Sequence, residues 1–227
     1  MATLAKPFCS DCIKNVQHKG EPVGKEIEIA GVPTYLSEPP ASAVVDGAPK
    51  NVILFYADVY GPLYINSKLV QDYFAAQGFY VLGIDYFLGD PVSLYQAKEC
   101  MPRWLEQVRK TYGEDAQYFV AGYCFGALYV MEQAAEEDIV AAAFAHPGML
   151  TEDHFKNIKK PLLMSCAEND FAFELADRRR AEDILISIKA KYHIQVSSGV
   201  THGFALKGDL DNADFRACFH PGYLQCT

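Results

Sequence analysis

The sequence contains no long hydrophobic run. Its uninterrupted apolar stretches, such as Ile139–Ala145, extend seven residues, whereas a membrane-spanning helix needs about 18 or more. The first residues, Met-Ala-Thr-Leu-Ala-Lys-Pro-Phe-Cys-Ser, hold no apolar segment of the secretory kind. Cys226 stands next to last, the wrong place for prenylation. A basic excess is also missing. Twenty Lys and Arg against 29 Asp and Glu leave a net charge of −9, a field that repels phosphate backbones, so nucleic acid is not an expected partner. There is no internal repeat, no low-complexity tract and no second C-x-x-C pair at zinc spacing. Cys9-Ser10-Asp11-Cys12 stands alone, with His18 six residues on, and reads as exposed thiols on an N-terminal arm, so no metal is expected. The seven cysteines are odd in number and scattered. They fit free thiols in a reducing cytoplasm better than a disulfide framework, and a cytoplasmic protein without membrane partners is expected.

What is present is a chain of 227 residues, half of them hydrophobic and 22% charged, which excludes disorder and suits one domain over 1–227. Residues 1–24 read as an N-terminal arm. Lys25–Ile29 and Val32–Leu36 flank Ala30-Gly31 as a hairpin, and Pro39–Pro49 reads as a surface loop. Beyond it lie short, nearly continuous apolar runs: Asn51–Tyr56, Phe79–Ile84, Tyr118–Ala121, Ile139–Ala145, Pro161–Cys166 and Tyr192–Val196. Such runs suit strands buried on both faces of a parallel sheet. Between them Ser67–Gln77, Met101–Lys110, Ala127–Glu136 and Glu174–Ala190 carry helical spacing. The alternation predicts an α/β three-layer sandwich with a mostly parallel central sheet, whose chemistry belongs beyond the carboxyl ends of the strands.

Gly122-Tyr123-Cys124-Phe125-Gly126 sits there, after one predicted strand and before a predicted helix. It is G-x-C-x-G, a nucleophile elbow with Cys in place of Ser. Seven cysteines would acquire this flanking pattern by chance about 0.03 times. The strained turn needs flanking residues without a Cβ, points Cys124 into a cleft at a helix N-terminus that favours its thiolate, and turns the Phe125 N–H toward a substrate oxyanion. The competing reading is a buried structural cysteine beside a tight turn.

A cysteine nucleophile needs a base and an orienting acid, which in this arrangement follow in the order nucleophile, acid, histidine. Asp170 follows Pro161–Cys166, with Glu168 as the alternative acid, and His202 follows the last predicted strand. His146, at the end of Ile139–Ala145, faces the same rim and reads chiefly as a structural hydrogen bonder. His18, His154, His193 and His220 read as surface or loop residues. Asp58 follows Asn51–Tyr56, in the loop that supplies the second oxyanion N–H at Val59. It reads equally as a partner of the resting Cys124 thiol and as a turn or N-cap residue. Arg178-Arg179-Arg180 reads as a solvated helix face with local ion pairs.

Gly-Tyr-Cys-Phe-Gly at 122–126, Asp170 and Thr-His-Gly-Phe at 201–204 resemble the dienelactone hydrolase family. Phe55-Tyr56-Ala57-Asp58-Val59-Tyr60-Gly61-Pro62 and Leu82-Gly83-Ile84-Asp85-Tyr86-Phe87 resemble its fungal branch. The resemblance covers about residues 8–210. It implies an α/β-hydrolase fold and a Cys124–His202–Asp170 triad. It also implies hydrolysis of a small-molecule lactone or ester through an acyl-thioester, without metal or cofactor. A monomer or homodimer is expected. By position, Asp58 matches the acidic residue that contacts the resting thiol in bacterial members. Those members clamp a substrate carboxylate with two arginines. The corresponding neighbourhoods here read Tyr86-Phe87-Leu88-Gly89 and Phe204-Ala205-Leu206-Lys207, leaving Lys207 as a point charge without bidentate geometry. The segment Gly89–Arg103 is shorter than in fungal relatives. The C-terminus reads as altered or truncated, with no helical periodicity after the His202 loop where members carry a long covering helix, so exposed apolar surface is expected there. These departures motivate a rival reading, a non-catalytic or redox-reactive binding relative of the family.

Overall fold

The computed structural model describes residues 2–7, 16–89 and 94–219. The Cys9–Cys12 pair, His220, Cys226 and part of the Gly89–Arg103 segment lie outside the described residues. Eight strands form one sheet: β1 (Lys25–Ile29), β2 (Val32–Ser37), β3 (Asn51–Tyr56), β4 (Tyr80–Ile84), β5 (Gln117–Tyr123), β6 (Ile139–Ala145), β7 (Leu162–Asn169) and β8 (Tyr192–Thr201). Their order across the sheet is β1-β2-β4-β3-β5-β6-β7-β8. β2 runs antiparallel to β1 and β4, and every other pairing is parallel. The helices are α1 (Ile65–Ala76), α2 (Leu94–Tyr112), α3 (Ala127–Gln133), α4 (Glu152–Asn157), α5 (Leu175–Ser187), α6 (Phe204–Lys207) and α7 (Ala213–Arg216).

The apolar runs are continuous because the sheet separates two cores. In β3, Val52, Leu54 and Tyr56 face a large core with Trp104 of α2, Val130 of α3 and Leu185 of α5. Ile53 and Phe55 face a smaller one with Leu69 and Val70 of α1. β8 departs from this pattern. Among the described residues it pairs only with β7, at the sheet edge, and of its ten residues Val200 alone is fully buried, so it is not covered on both faces as its composition suggests. α2 also departs, starting well before Met101 with Pro102 inside it. Ala97, Cys100, Met101, Trp104, Leu105 and Val108 lie on one buried stripe, and packing of that stripe overrides the proline. α3 stops at Gln133, short of Glu136.

After α6 the chain does form one more helix, α7, whose N-cap Asn212 accepts from the Asp214 N–H. It is four residues long, and among the described residues no longer helix follows β8. The register places Ala143 beside Leu163 on the smaller-core side of the sheet. There Ala141 and Ala143 are half-buried and Leu163 is 36% exposed, so the expected apolar exposure is present. No described helix is long and apolar enough to cross a membrane.

Candidate active site

Five polar residues stand at or just past the carboxyl ends of adjacent strands: Asp58 after β3, Cys124 after β5, His146 after β6, Asp170 after β7 and His202 after β8. The turn after β5 is strained. Cys124 has φ +50°, the left-handed region that costs a non-glycine residue energy. It opens a 3-10 turn, Cys124–Gly126, that leads into α3. A Cβ on Gly126 would lie 2.0 Å from the Tyr56 carbonyl oxygen of β3, and one on Gly122 would lie 2.7 Å from Val130 and 2.8 Å from the Gly126 oxygen. The flanking glycines are therefore demanded by contact with β3 and α3. Cys124 and Phe125 are each 1% exposed. The Phe125 ring packs on Tyr86, Phe87 and Tyr129.

Asp170 and His202 meet in the interior. His202 Nδ1 lies 2.9 Å from Asp170 Oδ1 and 3.1 Å from Oδ2, and Asp170 Oδ1 also accepts the N–H groups of Ala172 and Phe173 at 2.8 and 3.2 Å. These bonds lock the carboxylate and set the imidazole plane. Glu168, the alternative acid, instead accepts the Gly199 N–H from its exposed position, 2.8 Å away. The β3 loop is built around Asp58, whose Oδ1 accepts the Tyr60 N–H at 3.0 Å and whose main-chain oxygen accepts the Gly61 N–H at 3.0 Å. This turn presents buried Val59. Lys207 of α6 is buried too, with Nζ 3.4 Å from Asp58 Oδ2 and 5.2 Å from the Tyr60 ring centre. Burial raises the Asp58 carboxyl above its ordinary range, and Lys207 is the foremost group pulling it back. Lys207 thus reaches the site, with its charge set against Asp58.

His146 corrects the sequence expectation. It is fully buried, yet neither ring nitrogen has a hydrogen-bond partner among the described residues, so it is not a structural hydrogen bonder through its side chain. Its ring stands edge-on to His202 at 5.0 Å and Phe204 at 5.7 Å, and 5.8 Å from Tyr123. Its backbone, at φ +37°, donates to the Ser165 oxygen at 3.0 Å. Burial first, then the nearby His202 and Lys207 charges, holds its pKa well below 6.5. Tyr86, whose hydroxyl donates to the Ala57 carbonyl beside Asp58, was visible in the sequence only as part of a family motif.

The arm also departs from expectation. Leu4 and Ala5 are buried and donate to the Leu150 oxygen at 2.8 and 3.0 Å, while Lys6 donates to the Ala172 oxygen at 2.8 Å, bracing the loops of His146 and Asp170. His18 is buried rather than exposed. Its Nε2 lies 2.8 Å from the Gly208 oxygen, and its N–H donates to Asn66 Oδ1 at 2.9 Å. Asn66 in turn donates to the Leu206 oxygen at 2.9 Å, so this clasp holds α6, the carrier of Lys207. His154 is half-buried at the capping box of α4, and His193 is exposed on β8. In the arginine run, Arg180 pairs across helices with Glu152 at 2.6 Å, and Arg178 donates to the Ala167 oxygen at 3.0 Å; neither pairing is local to α5. None of the four described cysteines, Cys100, Cys124, Cys166 and Cys218, forms a disulfide. Burial pushes Cys166 up to about 12, which leaves it an inert thiol.

Comparison with known proteins agrees with this architecture. Dienlactone hydrolase 1 of Gibberella moniliformis is 37% identical over 231 residues, covering 91% of this chain and 87% of that protein. Hydrolase pyvD of Aspergillus violaceofuscus is 32% identical over 242 residues, covering 99% and 96%. The crystal structure of XC6422 from Xanthomonas campestris, an α/β serine hydrolase without a lid, superposes with a TM-score of 0.61 at 14% identity. That match covers 83% of this chain and 88% of that one, a likeness of fold. The profile of the dienelactone hydrolase family matches residues 101–218, the stretch that carries Cys124, Asp170 and His202. With an eight-stranded α/β-hydrolase sheet and relatives that align over nearly its whole length, the chain belongs to the dienelactone hydrolase family of hydrolases.

Proposed function

We propose that the protein hydrolyses small lactones or esters by thiol catalysis, with Cys124 as nucleophile, His202 as general base and acid, and Asp170 as the orienting carboxylate. The observation that carries this reading is the buried His202 Nδ1–Asp170 contact of 2.9 Å beside a strained elbow that holds a cysteine. With Nδ1 facing the carboxylate, the other ring nitrogen serves the thiol. His202 takes the Cys124 proton as sulfur attacks the acyl carbon. The N–H groups of Phe125 and Val59 receive the oxyanion. As the carbonyl re-forms, the acyl C–O bond breaks and the departing alkoxide takes the proton from His202, leaving an acyl-thioester. His202 then deprotonates a water that attacks the thioester, the C–S bond breaks, and the thiolate recovers its proton. In a lactone the alcohol and acid remain one molecule. Asp58 and Lys207 form the polar wall beside the oxyanion loop.

A panel of lactones and p-nitrophenyl esters tests this. Cys124→Ala is expected to lower kcat/KM by about a thousandfold or more, with a thermal melt close to wild type. Equal residual turnover in the two proteins rejects the mechanism. No turnover by a cooperatively melting wild type supports the non-catalytic or redox-reactive reading instead.

A further inference from the structure

Of the five polar residues at the carboxyl ends of the strands, His146 is the one to which the reaction above gives no role. It is 0% exposed and Cys124 1%, so the two side chains are withdrawn from solvent to nearly the same degree. Its loop is tied to the elbow, since the Gly148 N–H donates to the Cys124 oxygen at 2.9 Å. Its ring faces His202 at 5.0 Å. Two ring nitrogens without hydrogen-bond partners among the described residues are costly in a buried position, because a neutral imidazole carries one donor and one acceptor, and each left unmade forfeits its hydration without return. A residue held at φ +37° against that cost asks for a ligand rather than a packing explanation.

We propose that His146 is a specificity-determining binding residue, hydrogen-bonding an uncharged oxygen, a hydroxyl or ketone, on the acyl side of the substrate. This rests on the hydrolase reading and names its substrate class. The acyl group is uncharged for two reasons. His146 stays neutral because burial disfavours its cation, as do neighbouring His202 and Lys207. The Lys207 Nζ already lies 3.4 Å from Asp58, and Asp170 adds a second carboxylate, so among the described residues at this rim the one lysine is already opposed by carboxylates. A hydroxyl matches a neutral imidazole, since it can both donate and accept.

The experiment compares phenyl propionate with phenyl 2-hydroxypropionate and phenyl 3-hydroxypropionate, each rate taken relative to its uncatalysed hydrolysis. In wild type at least one hydroxylated ester is expected to exceed propionate in kcat/KM by about tenfold or more, because a site built to bond a substrate hydroxyl discriminates against its absence. His146→Phe is expected to reduce that excess to about threefold or less. His146→Gln, which keeps a donor and an acceptor, is expected to retain most of it. Cys124-dependent turnover without any such excess in wild type overturns this inference alone, whatever the variants do. An excess that survives in His146→Phe overturns it too. Turnover that does not depend on Cys124 sinks both this inference and the hydrolase reading.

Discussion

At the scale of the residue, the chain buries histidines in neutral form. His146, His18 and His154 are each held below the ordinary 6.5, with burial the leading cause. A base depressed in the folded state gives stability that is fully present above its unfolded pKa and is lost as pH falls below it, because the unfolded chain then takes up a proton that the native state refuses. The melting temperature should therefore fall as pH drops from 7.5 to 5.5. Asp58, raised by burial, runs in the opposite sense over a window that begins near 3.8. The contribution of one histidine is isolated with His18→Gln, which keeps a donor for the Gly208 oxygen. Thermal melts across this range should show a shallower acid decline for the variant, and parallel declines would contradict the assignment. At this scale the sequence exposed Cys124, Asp170 and His202 through spacing and order. It did not expose the burial of His18 or the setting of the His146 ring, because both depend on groups far away in the chain: Gly208 for the first, and His202 and Phe204 for the second.

At the scale of the element, the elbow is a three-way junction of β5, β3 and α3. Its tolerance is set by backbone rather than side chains. The Cβ of an alanine at position 126 would fall 2.0 Å from a β3 carbonyl oxygen that cannot rotate away. Gly126→Ala should accordingly destabilise the protein by about 3 kcal/mol or more, read as a lower urea midpoint with unchanged slope. A loss under about 1 kcal/mol would mean that the junction yields. Strands were the most legible elements, since β3, β4 and β5 are covered on both faces over much of their length and their apolar runs report it. α2 was read short because Pro102 looks like a start signal, while the residues that carry the helix through it, Ala97 and Cys100, are recognisable as a stripe only once the sheet supplies a surface to pack on. The arm segments 2–7 and 16–18 have no pattern of their own. They are ordered by hydrogen bonds to Leu150, Ala172 and Asn66.

At the scale of the whole molecule, the two sides of the sheet are unequally covered. Leu163 lies on the less covered side, 36% exposed, so Leu163→Glu should change stability by no more than about 0.5 kcal/mol in urea unfolding. A loss near 3 kcal/mol, as for a buried leucine, would show that this face is covered in solution. The net charge of −9 sets the long-range field but not the site, where Lys207 and Asp58 offset each other. By itself the sequence determined the α/β layering, the strand–turn–helix elbow at Cys124 and the chain order of Asp170 and His202, because these are written in local periodicity and in short motifs whose geometry is local. Only the tertiary structure decided that Asp170 rather than Glu168 meets His202, that Lys207 is engaged by Asp58, and that the ring nitrogens of His146 are buried without a hydrogen-bond partner among the described residues. Each of these depends on which loops converge at one sheet edge, and that convergence follows from the crossover order of the strands and the packing of the two cores.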